Sequence, residues 1–424
     1  MDRQGARLAR GDRPAVSTGT VRRTVEAVWR GESARIVGGL ARYTGDFELA
    51  EDLAQEALAE ALVSWSVDGV PREPISWLLT VGRRRAVDGF RRRASLDVKY
   101  AELARNLDES VENELFDPER IDDDVLALMF VACHPVLGKE ARIAVTLRVV
   151  GGLTSQEIAR SFFVPVSTVQ ARITRAKKAL TAAGVRFEVP DARQRRERLG
   201  SVLQVIYLIF TEGSSASGGE AWLRTELAGE ALRLGRVLSR LAPEPEVFGL
   251  LALMELTAAR FPARLDGEGR PVLLEDQDRT RWDRAAIRRG LAALQRASSE
   301  RGLGPYAAQA DIAACHARAA SVEETDWARI VAVYDALVRA TPSPVLELNR
   351  AVAVAMLSGP EAALALIDGI ELPGSHLVPA VRGELLARSG RGEQARVEYL
   401  EAARLCGNAA QRTVLEEKAA ALQG

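Results

Sequence analysis

Three cysteines in 424 residues, Cys133, Cys315 and Cys406, are too few and too dispersed for a disulfide framework, and they fit a reducing compartment. No apolar run approaches the roughly 18 residues a membrane-spanning helix needs. The first twenty residues hold Arg, Gly and Asp without an apolar core, which excludes a signal peptide; they read as a loose tail. These absences lead to the expectation of a cytoplasmic protein. Aromatics make up only 5%, while Ala, Leu and Arg abound, a balance that favours helices. Net charge is lacking too: at −1 it implies no global attraction to a polyanion, so the distribution of charge has to carry the argument. Catalytic signatures are missing as well. Cys133-His134 and Cys315-His316 are adjacent pairs with no second pair nearby, a poor metal-ligand set. Glu212, Glu275, Asp276 and Asp278 stand without a nucleophile–base pair, a phosphate loop or metal spacing. No cofactor or metal is expected, and the chain does not read as an enzyme.

What is present is a helical chain long enough for two to four domains, with an ordinary globular 47% hydrophobic and 27% charged residues. Val21–Tyr43 is amphipathic. From Asp46 to Trp65 a second helix puts Leu49, Leu53, Ala57, Leu58, Ala61 and Leu62 on one side, with Glu48, Glu51, Asp52, Gln55, Glu56 and Glu60 opposite. That acidic face is either solvated or docks on a basic partner. A third helix starts near Ile75, apolar at Trp77, Leu78, Leu79 and Val81, then basic at Arg83, Arg84, Arg85, Arg91, Arg92 and Arg93. A basic stripe beside a tryptophan suits a phosphate backbone and an unstacked base; Trp77 could equally be a core residue. Between Glu102 and Asp124 the sign reverses, with ten carboxylates against Arg105 and Arg120, and the segment reads as a mobile acidic linker.

A short apolar helix from Asp124 to Cys133 and another over Lys139–Val150 lead into Gly152–Leu180. There Thr154 or Ser155 caps a helix with Glu157 completing a capping box, and Pro165 ends it. Ser167 or Thr168 is then expected to cap a second helix. Val169, Ile173, Ala176 and Leu180 recur at i, i+4, i+7 and i+11 as a buried stripe, while Gln170, Arg172, Arg175, Lys177 and Lys178 lie on the other face. A capped basic helix after a short turn fits a DNA major groove, although the turn lacks the glycine usual in this motif. Beyond the extended connector Phe187–Pro190 the chain is helical again, with Thr211–Gly219 as a loop and Arg260–Asp276 irregular. Near the C-terminus Gly359 and Gly390 sit in similar helix–turn–helix patterns at a spacing near that of tetratricopeptide arrays.

Residues 21–184 resemble a bacterial RNA polymerase sigma factor of the extracytoplasmic-function type. AEDLAQEAL at Ala50–Leu58 resembles the region 2 segment that docks on the clamp helices of the polymerase largest subunit. WLLTVGRRRAVDGFRRR at Trp77–Arg93 resembles the segment that melts and reads the −10 element, and the helix–turn–helix resembles region 4, which reads the −35 element. Further stretches, CHPVLGKEARIAVTLRVVGGLTSQEIAR, FTEGSSASGG, LLEDQDRTRWDR and SPVLELNRAVAVA, look like the long subgroup with a C-terminal tetratricopeptide-like extension, which is thought to regulate the sigma core from within the chain. The resemblance implies an all-α protein: a tail over 1–20, region 2 over 21–95, an acidic linker over 96–122, region 4 over 123–184 and a partly tetratricopeptide-like domain over 185–424. Its expected partners are core RNA polymerase, through the clamp helices and flap, and promoter DNA. A protein or small-molecule ligand of the C-terminal domain is a further expectation, and a membrane is not. Asp52, Leu53, Gln55 and Glu56 are expected at polymerase. Trp77, Arg83, Arg84, Arg85, Arg91, Arg92 and Arg93 are expected at the −10 strand. Ser167, Thr168, Gln170, Arg172, Arg175, Lys177 and Lys178 are expected at the −35 duplex, with Arg172 or Arg175 reading guanine and the lysines holding phosphates. A DNA-binding regulator with a helical sensor domain shares the helix–turn–helix, but has no use for an acidic docking face or a separate melting helix. A pure scaffold would bind no DNA.

Overall fold

The computed structural model describes residues 18–94, 118–162, 164–188, 190, 192–214, 223–298 and 303–422. The proposed tail lies outside them except for its last residues, and so does most of the acidic linker. The described residues are helical, with one isolated bridge, Leu265 to Pro271, and no strand. They form two compact units: residues up to 160 with 164–199, and 200–424 with 161–163.

In the first unit α1 (Thr18–Thr44), α2 (Phe47–Asp68), α3 (Pro74–Ala94) and α4 (Pro118–Ala132) make a bundle around α1, which packs on the other three. The period read from the sequence is the one that is buried: Ile36, Val37 and Leu40 of α1, Ala57, Ala61 and Trp65 of α2 and Leu78 and Leu79 of α3 are all nearly inaccessible. Asp46 caps α2 by accepting from the Leu49 N–H. Three expectations need correction here. Leu62 is exposed at 41% rather than in the core, because it falls beyond the edge of the apolar stripe. Glu51 is buried. And α4 begins at Pro118, inside the proposed linker, and Asp124, the last carboxylate of the acidic run, is buried in an ion pair with Arg42 at 3.0 Å.

The helix expected over Lys139–Val150 is α-helical only for α5 (Lys139–Val145); Thr146–Val150 widens into a π turn, of the kind that accommodates one extra residue. There follow α6 (Ser155–Phe162) and α7 (Val166–Ala182).

Helix α8 (Ala192–Ser214), whose residues from 200 on belong to the second unit, takes in the first residues of the loop expected at Thr211–Gly219; 215–222 lie outside the described residues. Then come α9 (Thr225–Leu241), α10 (Pro245–Ala258), an irregular stretch, α11 (Arg284–Ala297) and α12 (Pro305–Arg318). Helix α10 lies against both α11 and α12. Next are α13 (Trp327–Ala340), α14 (Pro344–Ser358), α15 (Pro360–Ile367), α16 (Leu377–Arg388), α17 (Gly392–Leu405) and α18 (Ala409–Ala421). Each packs chiefly on its neighbour in sequence, the arrangement of a helical-repeat array. Gly359 at φ 92° and Gly390 at φ 74° make the two matching turns, a conformation that side chains disfavour.

Candidate nucleic-acid and polymerase interface

Helix α6 starts with the expected capping box. The Glu157 N–H donates to Thr154 Oγ1 at 3.2 Å, and the Thr154 N–H donates to Glu157 Oε2 at 2.8 Å. Burial alone would raise the Glu157 pKa; the bonds from Thr154 and Arg30 lower it. Helix α7 departs from expectation: Pro165 occupies the cap position and no side chain caps it. Pro165 has no N–H to satisfy and its fixed φ leads into the helix, so Ser167 and Thr168 already lie in the first turn.

The four residues of the apolar stripe, Val169, Ile173, Ala176 and Leu180, are all buried. Opposite them, Ser167, Gln170, Arg175 and Lys178 are exposed, Thr168 and Arg172 half-buried. Two residues that the basic-residue reading passed over, Ala171 and Thr174, are exposed too. They share the line Ser167, Ala171, Thr174, Lys178, spaced i, i+4, i+7, i+11. Counting from Ser167 rather than from the arginines would have found them. An alanine and a threonine in mid-face let a helix approach base edges closely and offer methyl contacts to thymine.

Lys177 points elsewhere. Its ammonium lies 2.6 Å from Glu51 and 3.3 Å from Asp52, and Glu51 is also held by Arg148 at 3.1 Å. Burial works against the charge on Lys177, but the two carboxylates outweigh it and its pKa is raised. Arg30 pairs with Glu157. A Cβ added at Gly152 would meet Ser33 Oγ at 2.8 Å and the Trp29 carbonyl at 2.9 Å, so backbone touches backbone here. The helix–turn–helix thus sits on α1 and α2. Of the residues expected at polymerase, Asp52 and Glu56 are exposed, but Leu53 is 4% exposed and belongs to the core, because it continues the stripe of Ala57 and Ala61. Gln55 is half-buried, and its amide nitrogen has no acceptor among the described residues.

On α3, Trp77 is half-buried and meets Trp65 edge-on at 5.5 Å. Arg83 stacks over the Tyr43 ring at 4.7 Å. Arg84 pairs with Glu60, and Arg85 spans Glu56 at 2.9 Å and Glu60 at 2.7 Å. The Arg85 hydrogen bond, with a smaller contribution from Arg84, lowers the Glu60 pKa. Arg91 and Arg92 are exposed; the side chain of Arg93 lies outside the described residues. Acidic and basic faces that look independent in sequence therefore interlock: α2 offers its carboxylates to α3 and α7.

Family models agree with this geometry. Sigma-70 region 2 matches residues 30–96 and Sigma-70 region 4 matches 127–180, while a family of unknown function (DUF6596) matches 198–298. An uncharacterized protein of Rhizobium meliloti is 46% identical over 384 residues, 88% of this chain and 90% of that protein. The ferric citrate uptake sigma factor FecI of Escherichia coli is 30% identical over 128 residues, 30% of this chain and 71% of that protein. The chain is an extracytoplasmic-function sigma factor. The probable ECF sigma factor SigI of Mycobacterium tuberculosis, 27% identical over 173 residues, aligns over 40% of this chain and 59% of its own length. As a sigma factor, the protein binds core RNA polymerase and directs it to promoter DNA. The all-α architecture and the helical C-terminal extension accord with the sequence reading, and no described helix is long and apolar enough to cross a membrane.

Proposed function

We propose that this sigma factor reads its −35 element through Ser167, Gln170, Ala171, Thr174 and Arg175, with Lys178 on a phosphate. The observation that carries this is the exposed face of α7 opposite a wholly buried stripe. Arg175 is the better guanine reader, because it is exposed where Arg172 is half-buried. Trp77, Arg84, Arg91 and Arg92 act at the opened −10 strand by stacking and phosphate neutralisation, and Arg83 supports them from Tyr43. Asp52 and Glu56 meet polymerase, steering association more than supplying affinity.

In the free protein these carboxylates serve as internal counter-ions for Lys177 and Arg85. Polymerase, arriving on the same face, takes over Asp52 and Glu56, while Lys177 stays on Glu51 and Arg85 on Glu60. Work of this kind belongs to the cytoplasm, and the second unit regulates it from within the chain. The decisive experiment pairs Asp52→Lys with Glu56→Lys and measures holoenzyme assembly in a pull-down with core polymerase. Loss of assembly supports the docking role, and undiminished assembly refutes it. Sequencing the 5′ ends of transcripts made by polymerase plus this protein defines the promoter. A chain ending at Gly184 should give altered activity in vitro; unchanged activity at unchanged stability rejects regulation by the second unit.

A further inference from the structure

The second unit encloses a cavity of about 350 Å³ that the sigma reading does not use. Its walls come from the connector before α11 (Leu273, Leu274, Glu275, Arg279) and from helices α12 to α14 and α16 to α18. Three large apolar side chains at it, Leu273, Val352 and Leu377, are exposed at 36% or more, an unusual concentration for a surface with nothing to hold. The volume falls in the range of small-molecule sites, on the order of 300–1,000 Å³, and is too small for a helix or a folded partner. An extended peptide is disfavoured as well, since its backbone N–H and C=O groups would each need a partner and the wall is overwhelmingly apolar.

The few polar groups define the head of the occupant. Both carboxylates are engaged. Glu384 accepts from Tyr399 Oη at 2.8 Å, Lys418 Nζ at 2.5 Å and Arg388 Nε at 3.1 Å, and Glu275 accepts from Arg388. A cationic ligand would find its counter-charges occupied. The cations are not matched in the same way. Arg279, buried at 7% exposure, donates to the carbonyls of His316 and Ala319 at 2.9 Å and to the Thr325 hydroxyl at 3.1 Å, all neutral oxygens. Glu323 and Glu324 act on it only through space. Beside it His316 is 8% exposed, and its Nδ1 has no partner among the described residues. Burial and the nearby Arg260 and Arg279 push its pKa down to about 4, so the ring is neutral near pH 7 and has one N–H to give. The wall therefore carries three cations against two carboxylates, together with the His316 ring.

We infer that this cavity binds a small amphipathic acid: an apolar body of roughly ten carbons, sized to the cavity, with one carboxylate held beside the neutral His316 ring in the field of Arg279. Arg279 lies in the LLEDQDRTRWDR motif that stood out in the sequence without a role in promoter recognition.

The test uses the full-length protein and three ten-carbon probes, decanoate, decanol and decylamine, in isothermal titration at pH 7, with thermal unfolding alongside. Decanoate should bind saturably at one site and raise the melting temperature, with the alcohol and amine about tenfold weaker or worse. Val352→Trp, which fills the mouth from an exposed position, should weaken decanoate about tenfold at near-native stability. Where that variant fails to fold, Leu377→Trp fills the same mouth from another helix. His316→Phe should erase the preference for acid over alcohol. No saturable binding, equal affinity for decanoate and decanol, or undiminished binding to a folded plugged variant would each overturn the proposal. These readouts need no transcription, so they stand apart from the fate of the promoter model.

Discussion

Lys177 of α7 reaches Glu51 of α2 at 2.6 Å, and Arg148 reaches the same carboxylate at 3.1 Å. One buried acid thus ties α7, in the part matched by Sigma-70 region 4, to α2, in the part matched by Sigma-70 region 2. Desolvating such a cluster costs about as much as its attractions return, but removing one member leaves uncompensated charge.

Glu51→Ala should therefore destabilise the first unit by about 3 kcal/mol in urea unfolding. Lys177→Met should cost less, because Arg148 still answers the carboxylate. The double variant should fall short of the sum of the two, giving a coupling energy measurable in a double-mutant cycle. Strict additivity would show that the contact contributes nothing.

Thr174→Glu should abolish −35 duplex binding with little change in melting temperature, since the residue is exposed in mid-face. Lys178→Ala should weaken binding evenly across sequences and reduce the salt slope by about one. Arg175→Ala should cost about 1–3 kcal/mol and relax selection at one base pair. Electrophoretic or anisotropy titrations at several salt concentrations separate these outcomes.

Glu384 sets an acid limit for the second unit. Burial alone would raise its pKa, but Lys418, Tyr399 and Arg388 hold it at about 2, against 4.5 for the free group. The folded state thus binds fewer protons than the unfolded one between those values. Its contribution, on the order of 3 kcal/mol, is complete above pH 4.5 and is lost as pH falls toward 2. Glu384→Gln should flatten the stability profile across this window; an unchanged slope would remove Glu384 as its source.

Gly249 in α10 is a point of backbone contact. A Cβ there would lie 2.6 Å from the Ala307 nitrogen and 2.9 Å from its Cα, and a helix backbone has no flexible end to move aside. Gly249→Ala should cost about 2 kcal/mol by overpacking. Gly229→Ala in α9, where nothing lies within 4 Å, should instead stabilise by about 0.5–1 kcal/mol. Thermal melts of the two variants should move in opposite directions.

Local features were legible in the sequence because their causes are local. The stripe Val169, Ile173, Ala176, Leu180 and the Thr154–Glu157 box each depend on residues within a turn or three, and both are present. The paired turn glycines at 359 and 390 were likewise visible from their neighbours. What escaped was set by distant partners. Asp124 reads as the end of an acidic linker until Arg42 is seen beside it, and Glu51 reads as one more exposed acid until Arg148 and Lys177 close over it. Counting basic residues also misdirected the reading of α7, because Lys177 faces α2 while the uncharged Ala171 and Thr174 hold the centre of the open face. The cavity of the second unit could not be foreseen, because six helices and the connector furnish its walls.

The indole pair Trp65 and Trp77, edge to face at 5.5 Å, gives this protein a built-in optical probe. Trp65 is sealed in the bundle while Trp77 stands half in solvent. Drawing Trp77 away toward an unpaired base would alter the emission of both rings. Strand opening could then be followed in real time by intrinsic fluorescence, without any dye attached to protein or nucleic acid.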